Sequence, residues 1–174
     1  GMAHKRGPFT VHDARGVFDN PWISLTHHDV SVSSGRRFSY TTVSFKKVAT
    51  GVVPLHEDGT VTLVGQHRFP LDIYSWELPE GGAEPGEPPL EAIKRELAEE
   101  AGLKAAAWRE ILTMHLSNSI TDERAYVYLA TGLSPASGEA DDTEELAVQR
   151  LPFKDALAMA ADGRITDAIS VAGL

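Results

Sequence analysis

The sequence predicts an α+β fold, and three observations carry that expectation. Stretches of β-branched and aromatic residues alternate with polar ones, the period of half-buried strands. Between them, Leu90, Ile93, Leu97 and Ala101 recur at helical spacing, and two further helical patterns close the chain. Strands and helices thus interleave along 174 residues, a length that suits one domain of ordinary size with a full core.

The elements follow in order. Gly1 before Met2 reads as a cleavage scar and is set aside from the fold argument. Residues 22–32 and 37–48 alternate across the Ser33-Ser34-Gly35 turn and are expected to form a hairpin. Residues 1–48 would make an N-terminal extension and residues 49–174 the main domain. Strands over 50–55 and 61–66 are expected to pair around the Glu57-Asp58-Gly59 turn signal. A Gly/Pro loop and the amphipathic helix come next, then strands over 108–116, 124–130 and 146–151. Residues 134–143, rich in Ser, Gly and Asp, read as a mobile loop. Pro152-Phe153 opens a helix reaching Ala161, and Thr166 or Asp167 caps a short last one.

Composition narrows the function. With no cysteine, neither disulfides nor thiolate metal sites are available, which fits a reducing cytoplasm. No apolar run approaches a membrane span and no signal peptide is visible, so neither a membrane nor a secretory route is expected. The formal net charge of -9 argues against nucleic acid as a ligand, because phosphate backbones need clustered Lys and Arg. It would also repel a small polyphosphate unless a divalent cation screened the site.

Residues 81–103 carry that screen. Glu96, Glu99 and Glu100 sit at i, i+3 and i+4 and crowd one side of the helix, where like charges repel and call for a cation. The apolar stripe anchors the opposite side in a core. Oxygen-rich carboxylate clusters suit Mg²⁺, with Mn²⁺ as an alternative, since such cations bridge to substrate phosphates.

The spacing Gly81, Glu87, Arg95, Glu96, Leu97, Glu99, Glu100, Gly102, Leu103 resembles the signature of the Nudix hydrolases at each fixed position. The resemblance implies an α/β/α sandwich around a mixed sheet, with the signature forming loop, helix, loop. It implies that Glu96 and Glu100 are the main metal ligands, that Glu99 reaches a further metal, and that the Glu80 carbonyl joins them. Arg95 would orient the glutamates, since its planar guanidinium can hold their rotamers. Glu87 would fix the loop, Gly81 would let the loop approach the metal, and Gly102 resembles a helix C′ glycine. The general base is expected in the acidic stretch Asp141–Glu145, with Glu144 preferred over Asp142 and Glu145.

Two flanking segments resemble the ADP-ribose and nucleotide-sugar pyrophosphatase branch. These are Gln66-His67-Arg68 and Trp76-Glu77-Leu78-Pro79, in which Arg68 would meet a phosphate and Glu77 would contact substrate. Trp76 stacks on a base or fills the core. Downstream, Asp122-Glu123 matches the acidic pair of that branch and makes Glu123 a further substrate contact. Asn118 stands where a proline is usual, which leaves room for other nucleoside diphosphate sugars. The implied reaction is Mg²⁺-dependent hydrolysis of a nucleoside diphosphate sugar such as ADP-ribose. The alternatives are a house-cleaning nucleoside triphosphate pyrophosphohydrolase and a non-catalytic ADP-ribose-binding regulator. A homodimer is expected, with the hairpin burying apolar side chains in the interface; an edge of the core sheet is the alternative for that hairpin.

Overall fold

The computed structural model describes residues 2–136 and 146–174. The chain divides into two compact units, Gly1–Lys47 with His115–Glu123, and Val48–Met114 with Arg124–Leu174. The loop 115–123, placed by the sequence reading in the main domain, therefore groups with the N-terminal strands.

The first unit is a four-stranded antiparallel sheet in the order β1 (His4–Arg6), β2 (Phe9–Asp19), β3 (Ile23–Ser31) and β4 (Arg37–Phe45). The expected hairpin is present as β3 and β4, with Val30 opposite Phe38 and His28 opposite Tyr40. Gly35, at φ 87, supplies the left-handed residue of its turn. Sequence reading missed β1 and β2 because only Val11 of β2 is fully buried, so an alternating apolar signal is absent. The sheet is held to the second segment by Val43 N–H donating to the Ile120 carbonyl at 2.9 Å, and by Tyr40 Oη donating to the Ser119 carbonyl. Between sheet and loop lies a cavity of about 690 Å³, lined among others by Arg6, Val11, His28, Tyr40, His115 and Asp122.

The second unit contains two sheets. One is mixed, in the order β8 (Glu80–Ala83), β5 (Val48–Pro54), β10 (Arg124–Pro135), β9 (Leu103–His115), with β5 and β10 parallel and β5 and β8 antiparallel. The other is β11 (Ala147–Pro152), β6 (Thr60–Arg68), β7 (Ile73–Glu77), antiparallel throughout. The Glu57-Asp58-Gly59 turn is formed, with His56 N–H reaching the Thr60 carbonyl at 2.8 Å. The strands it joins do not form the expected hairpin, and after one isolated bridge, Leu55 to Val61, they enter different sheets. Burial explains the correction. Gly51–Pro54 and Val61–Gly65 are buried on both faces, so each strand is central and needs a partner on either side.

Successive residues of β5 point to opposite faces, and this sets the layers of the unit. Val52 packs with Ile93 and Leu97 of α1 (Pro89–Ala101), and with Tyr128 and Ala130. Val53 packs with Val61, Leu63 and Leu78, with Ala156 of α2 (Phe153–Asp162), and with Ile165, which precedes α3 (Ala168–Gly173). The strands thus lie between α1 and the two C-terminal helices, as an α/β/α arrangement requires. Asp167, rather than Thr166, caps α3 by accepting the Ser170 N–H. Strand β10 runs on to Pro135, into the segment read as a loop, and residues 137–145 lie outside the described residues. Among the described residues no helix is long and apolar enough to cross a membrane.

Candidate metal-binding and catalytic site

The site grows from β8 and α1. Gly102 stops the helix in the left-handed region at φ 67, and its N–H bonds the Ala98 carbonyl at 3.0 Å. Ala92, Ile93 and Leu97 are buried against the sheet, which leaves Arg95, Glu96, Glu99 and Glu100 on the remaining faces.

At Gly81 the backbone touches this helix. An added Cβ there would lie 2.2 Å from Glu96 Cγ and 2.3 Å from its carboxyl carbon, so only glycine lets the strand and that carboxylate share the space. Thr50 Oγ1 holds the Gly81 carbonyl at 2.9 Å. Glu80 N–H donates to Glu100 Oε2 at 3.1 Å, which fixes a second glutamate against the same strand.

Arg95 braces the cluster. Its guanidinium reaches Glu96 Oε1 at 2.8 Å and Glu87 Oε1 at 3.0 Å, and lies 3.8 Å from Glu99 Oε2. These partners, Glu87 first, hold its pKa above the usual arginine value. Glu87 also accepts the Glu84 N–H at 3.1 Å, tying the loop to the helix. The sequence reading gave Arg95 the orienting of the glutamates and Glu87 the fixing of the loop, and the structure brings the two side chains together.

On the other flank stands a second acidic cluster. One carboxylate oxygen each of Glu77, Glu80 and Asp167 lie within 4.8 Å of one another. Glu77 is only 2% exposed and takes a two-point contact from Arg68, with Nε at 3.0 Å and a terminal nitrogen at 2.5 Å. Arg68 also approaches Glu80 Oε2 at 3.9 Å, and the bond to Glu77 raises its pKa further above the ordinary arginine value. Burial raises the Glu80 carboxyl well above the usual range, and hydrogen bonding to Asp167 with the nearby charges of Asp167 and Glu77 adds to that shift. Ser170 Oγ, 3.1 Å from Glu80 Oε1, works in the opposite sense.

Arg68 and Glu77, expected to contact substrate, are therefore partners of each other, with the Arg68 side chain still 38% exposed. Trp76 packs against the core and makes an edge contact with Tyr74 at 5.7 Å, which resolves the choice between core and stacking in favour of core. Glu123 belongs to the first unit, where burial raises its carboxyl pKa. Glu144, Asp142 and Glu145, the candidates for general base, lie outside the described residues. Asp167 and Ser170 escaped the sequence reading as site residues. Asp167 carries only the signal of a helix cap, and no local pattern ties residue 167 to residue 80.

Chemically, the donors around Gly81 are all hard oxygens, and the glycine cradle holds one of them against main chain. That set fits a divalent cation such as Mg²⁺ far better than a soft transition metal.

The NUDIX domain model matches residues 45–170. An ADP-ribose pyrophosphatase of Mycobacterium tuberculosis is 33% identical over 129 residues, which is 72% of this chain and 62% of that protein. An ADP-ribose pyrophosphatase of Bacillus subtilis is 30% identical over 154 residues, covering 87% of this chain and 83% of that protein. A CMP-5'-(N-acetyl-N-hydroxy-3-aminopropyl)phosphonate hydrolase of Streptomyces rubellomurinus is 28% identical over 169 residues, covering 97% of this chain and 79% of that protein. Among solved structures, an ADP compounds hydrolase superposes with a TM-score of 0.85 at 23% identity, over 98% of this chain and 92% of that one.

Proposed function

The chain belongs to the Nudix family of hydrolases, and from that premise we propose that it hydrolyses the pyrophosphate bond of ADP-ribose or a related nucleoside diphosphate sugar, giving a nucleoside monophosphate and a sugar phosphate. The observation that carries the reading is Glu80, whose backbone N–H meets Glu100 while its side chain sits 3.9 Å from Arg68. A carboxylate cage for a cation and a fixed guanidinium for a phosphate oxygen are thereby joined at one residue.

Glu96, Glu100 and Glu99, with the Glu80 carbonyl, would hold Mg²⁺ or Mn²⁺. When bound, such a metal supplies Lewis-acid polarisation of phosphoryl oxygens and eases deprotonation of water. Arg95 keeps the Glu96 carboxylate in place and spaces it from Glu99. Arg68, oriented by Glu77, binds and aligns a phosphate oxygen. Glu144 is proposed as the general base that takes the proton of the attacking water, with Asp142 and Glu145 as the rivals. A cytoplasmic homodimer is proposed with it. Exposed Phe18, Trp22 and Phe45 in the N-terminal unit support the dimer, because exposed aromatic side chains in one unit favour association.

A substrate panel tests the reading: ADP-ribose, ADP-glucose, GDP-mannose, UDP-glucose and deoxynucleoside triphosphates, each with Mg²⁺ and with Mn²⁺. Metal-dependent turnover is expected on the diphosphate sugars, with two monophosphate products. Turnover confined to the triphosphates would overturn the substrate assignment, and tight ADP-ribose binding without turnover would turn the protein into a binder. Light scattering at micromolar concentration tests the dimer.

A further inference from the structure

Helix α3 is short and stands at the end of the chain, yet it carries one of the few fully buried polar residues, Ser170. Its hydroxyl oxygen accepts the Leu78 N–H at 2.8 Å. The same oxygen lies 2.8 Å from Asp167 Oδ2 and 3.1 Å from Glu80 Oε1. A hydroxyl has one proton, so it serves one of those carboxylates at a time while always accepting from Leu78. Asp167 also accepts the Ser170 main-chain N–H at 3.1 Å, which locks the serine at the first turn of the helix. The helix has no slack against the sheet, since a Cβ on Gly51 would lie 2.6 Å from Ile169 Cγ2.

Leu78 and Glu80 flank Pro79, whose carbonyl accepts the Val52 N–H at 3.1 Å. The segment is thus held by β5 along its edge, by Ser170 at its start and through the Glu80 side chain. Two residues on from Leu78, the Glu80 N–H holds Glu100. Helix α1 meets this segment at the Glu80 N–H, and helix α3 meets it at the Leu78 N–H and the Glu80 side chain.

We propose that Ser170 is a positioning residue for divalent-metal binding. Its hydroxyl sets the Leu78–Glu80 segment so that the Glu80 backbone meets the Glu100 carboxylate in a single geometry. This rests on the reading that Glu96 and Glu100 hold the metal. Removing the hydroxyl leaves the Leu78 N–H buried without its partner and lets the segment relax, and it deletes no carboxylate and no substrate contact.

The test uses Mn²⁺ alone, titrated into the full-length protein and followed by the paramagnetic resonance of the free ion. Ser170→Ala is expected to weaken Mn²⁺ binding by about tenfold, the lower end of what outer-shell partners of metal ligands contribute. Ser170→Cys, which keeps a weak donor and acceptor there, is expected to fall between wild type and Ser170→Ala, and it carries the test if Ser170→Ala does not fold. Ile165→Val is the control, since it thins the core beside α3 without touching the hydroxyl. It is expected to lower Tm and leave Mn²⁺ affinity unchanged. An equal loss of affinity in Ile165→Val and Ser170→Ala, or a Ser170→Ala that lowers Tm but binds Mn²⁺ like wild type, overturns the proposal. The Glu96→Gln/Glu100→Gln double variant separates the two claims. If it keeps wild-type Mn²⁺ binding, the metal assignment fails and this inference falls with it. If it loses binding while Ser170→Ala does not, the inference alone fails.

Discussion

The glutamates of α1 and the carboxylates around Arg68 share Glu80 but meet their charge in opposite ways. Around Arg95 exposure is graded, from Glu99 at 39% and Arg95 at 37% to Glu96 at 12%, and several carboxylates crowd one guanidinium. Around Arg68 the key carboxylate is 2% exposed and has its own cation bonded at two points. A partly solvated excess of negative charge tolerates its repulsion, and in the proposed reading a divalent cation relieves it. A buried carboxylate tolerates none, so it is either paired, as Glu77 is, or driven towards its neutral form, as Glu80 is. We therefore propose the α1 cluster as the metal site and the Glu77 pair as the brace that holds Arg68 in place.

That contrast predicts where mutation changes chemistry and where it changes stability. The largest effect is expected from Glu100→Gln, with Glu96→Gln close behind. Either change removes a charge from the proposed metal site without emptying core volume. Turnover on the best diphosphate-sugar substrate should fall by about 10² or more, the scale of losing one electrostatic stabiliser, while the circular dichroism spectrum is retained. The melting shift between EDTA and millimolar Mg²⁺ should also vanish in the double variant, because the cation then no longer binds the native state selectively. A variant keeping half of wild-type activity at saturating Mg²⁺ would remove the distinction between the clusters.

Gly81→Ala comes next. Its Cβ would collide with the Glu96 side chain, which has a flexible end and can move, so the protein is expected to fold with that carboxylate displaced. Metal affinity should drop by roughly tenfold, comparable to disturbing an outer-shell partner. An unchanged Mg²⁺ dependence would mean that the Glu96 carboxylate is not held where the metal binds.

For Glu77→Gln the contrast predicts the reverse pattern. The Arg68 charge would lose its bonded counter-charge and face Glu80 at 3.9 Å. Breaking a fully buried pair costs about 3–5 kcal/mol; with Arg68 38% exposed, solvent screening brings the expectation down to roughly 1–3 kcal/mol. Thermal melts should show the loss, and the Mg²⁺-induced shift should survive. An unaltered Tm with a lost Mg²⁺ response would place Glu77 in the metal site and erase the division of labour.

The difference between the clusters also sets what the sequence could reveal. The α1 cluster is contiguous, so the spacing of Glu87, Arg95, Glu96, Glu99 and Glu100 carried both its residue types and its geometry. The second cluster joins residues 68, 77 and 80 to residue 167, and its closure depends on α3 folding back over β5. Arg68 and Glu77 were legible as a pair of segments, but their bond to each other was not. In the fold, the β3–β4 hairpin, α1, α2 and the last helix were legible from periodicity and caps. The partners of β5 and β6 were not, because a turn signal reports only that the chain reverses. Which sheet each strand then joins is decided by burial on both of its faces.

The smallest predicted effect extends the comparison to a partly buried basic group with no counter-ion bonded to it among the described residues. On the cavity-lining face of the first unit, His28 Nε2 meets Thr42 Oγ1 at 3.1 Å, and its Nδ1 is buried with no hydrogen-bond partner among the described residues. Burial lowers the His28 pKa below 6.5, and the positive potentials of Arg6, His27 and His4 lower it further; Asp122, which also lines the cavity, is the acid on that face. A histidine whose folded pKa is depressed binds fewer protons folded than unfolded. Stability is therefore fully present above pH 6.5 and is lost as pH falls through the unfolded value towards the folded one. His56, whose pKa is lowered by burial and by Arg150, adds a similar acid limb to the second unit, so a global melt cannot assign the effect. Hydrogen exchange resolved to β3 and β4, measured at pH 7.5 and pH 5.5, can. Protection of those strands should weaken at the lower pH in wild type, and His28→Gln, which is uncharged at both, should flatten the difference. The same loss of protection in His28→Gln would show that protonating this partly buried base costs the sheet nothing.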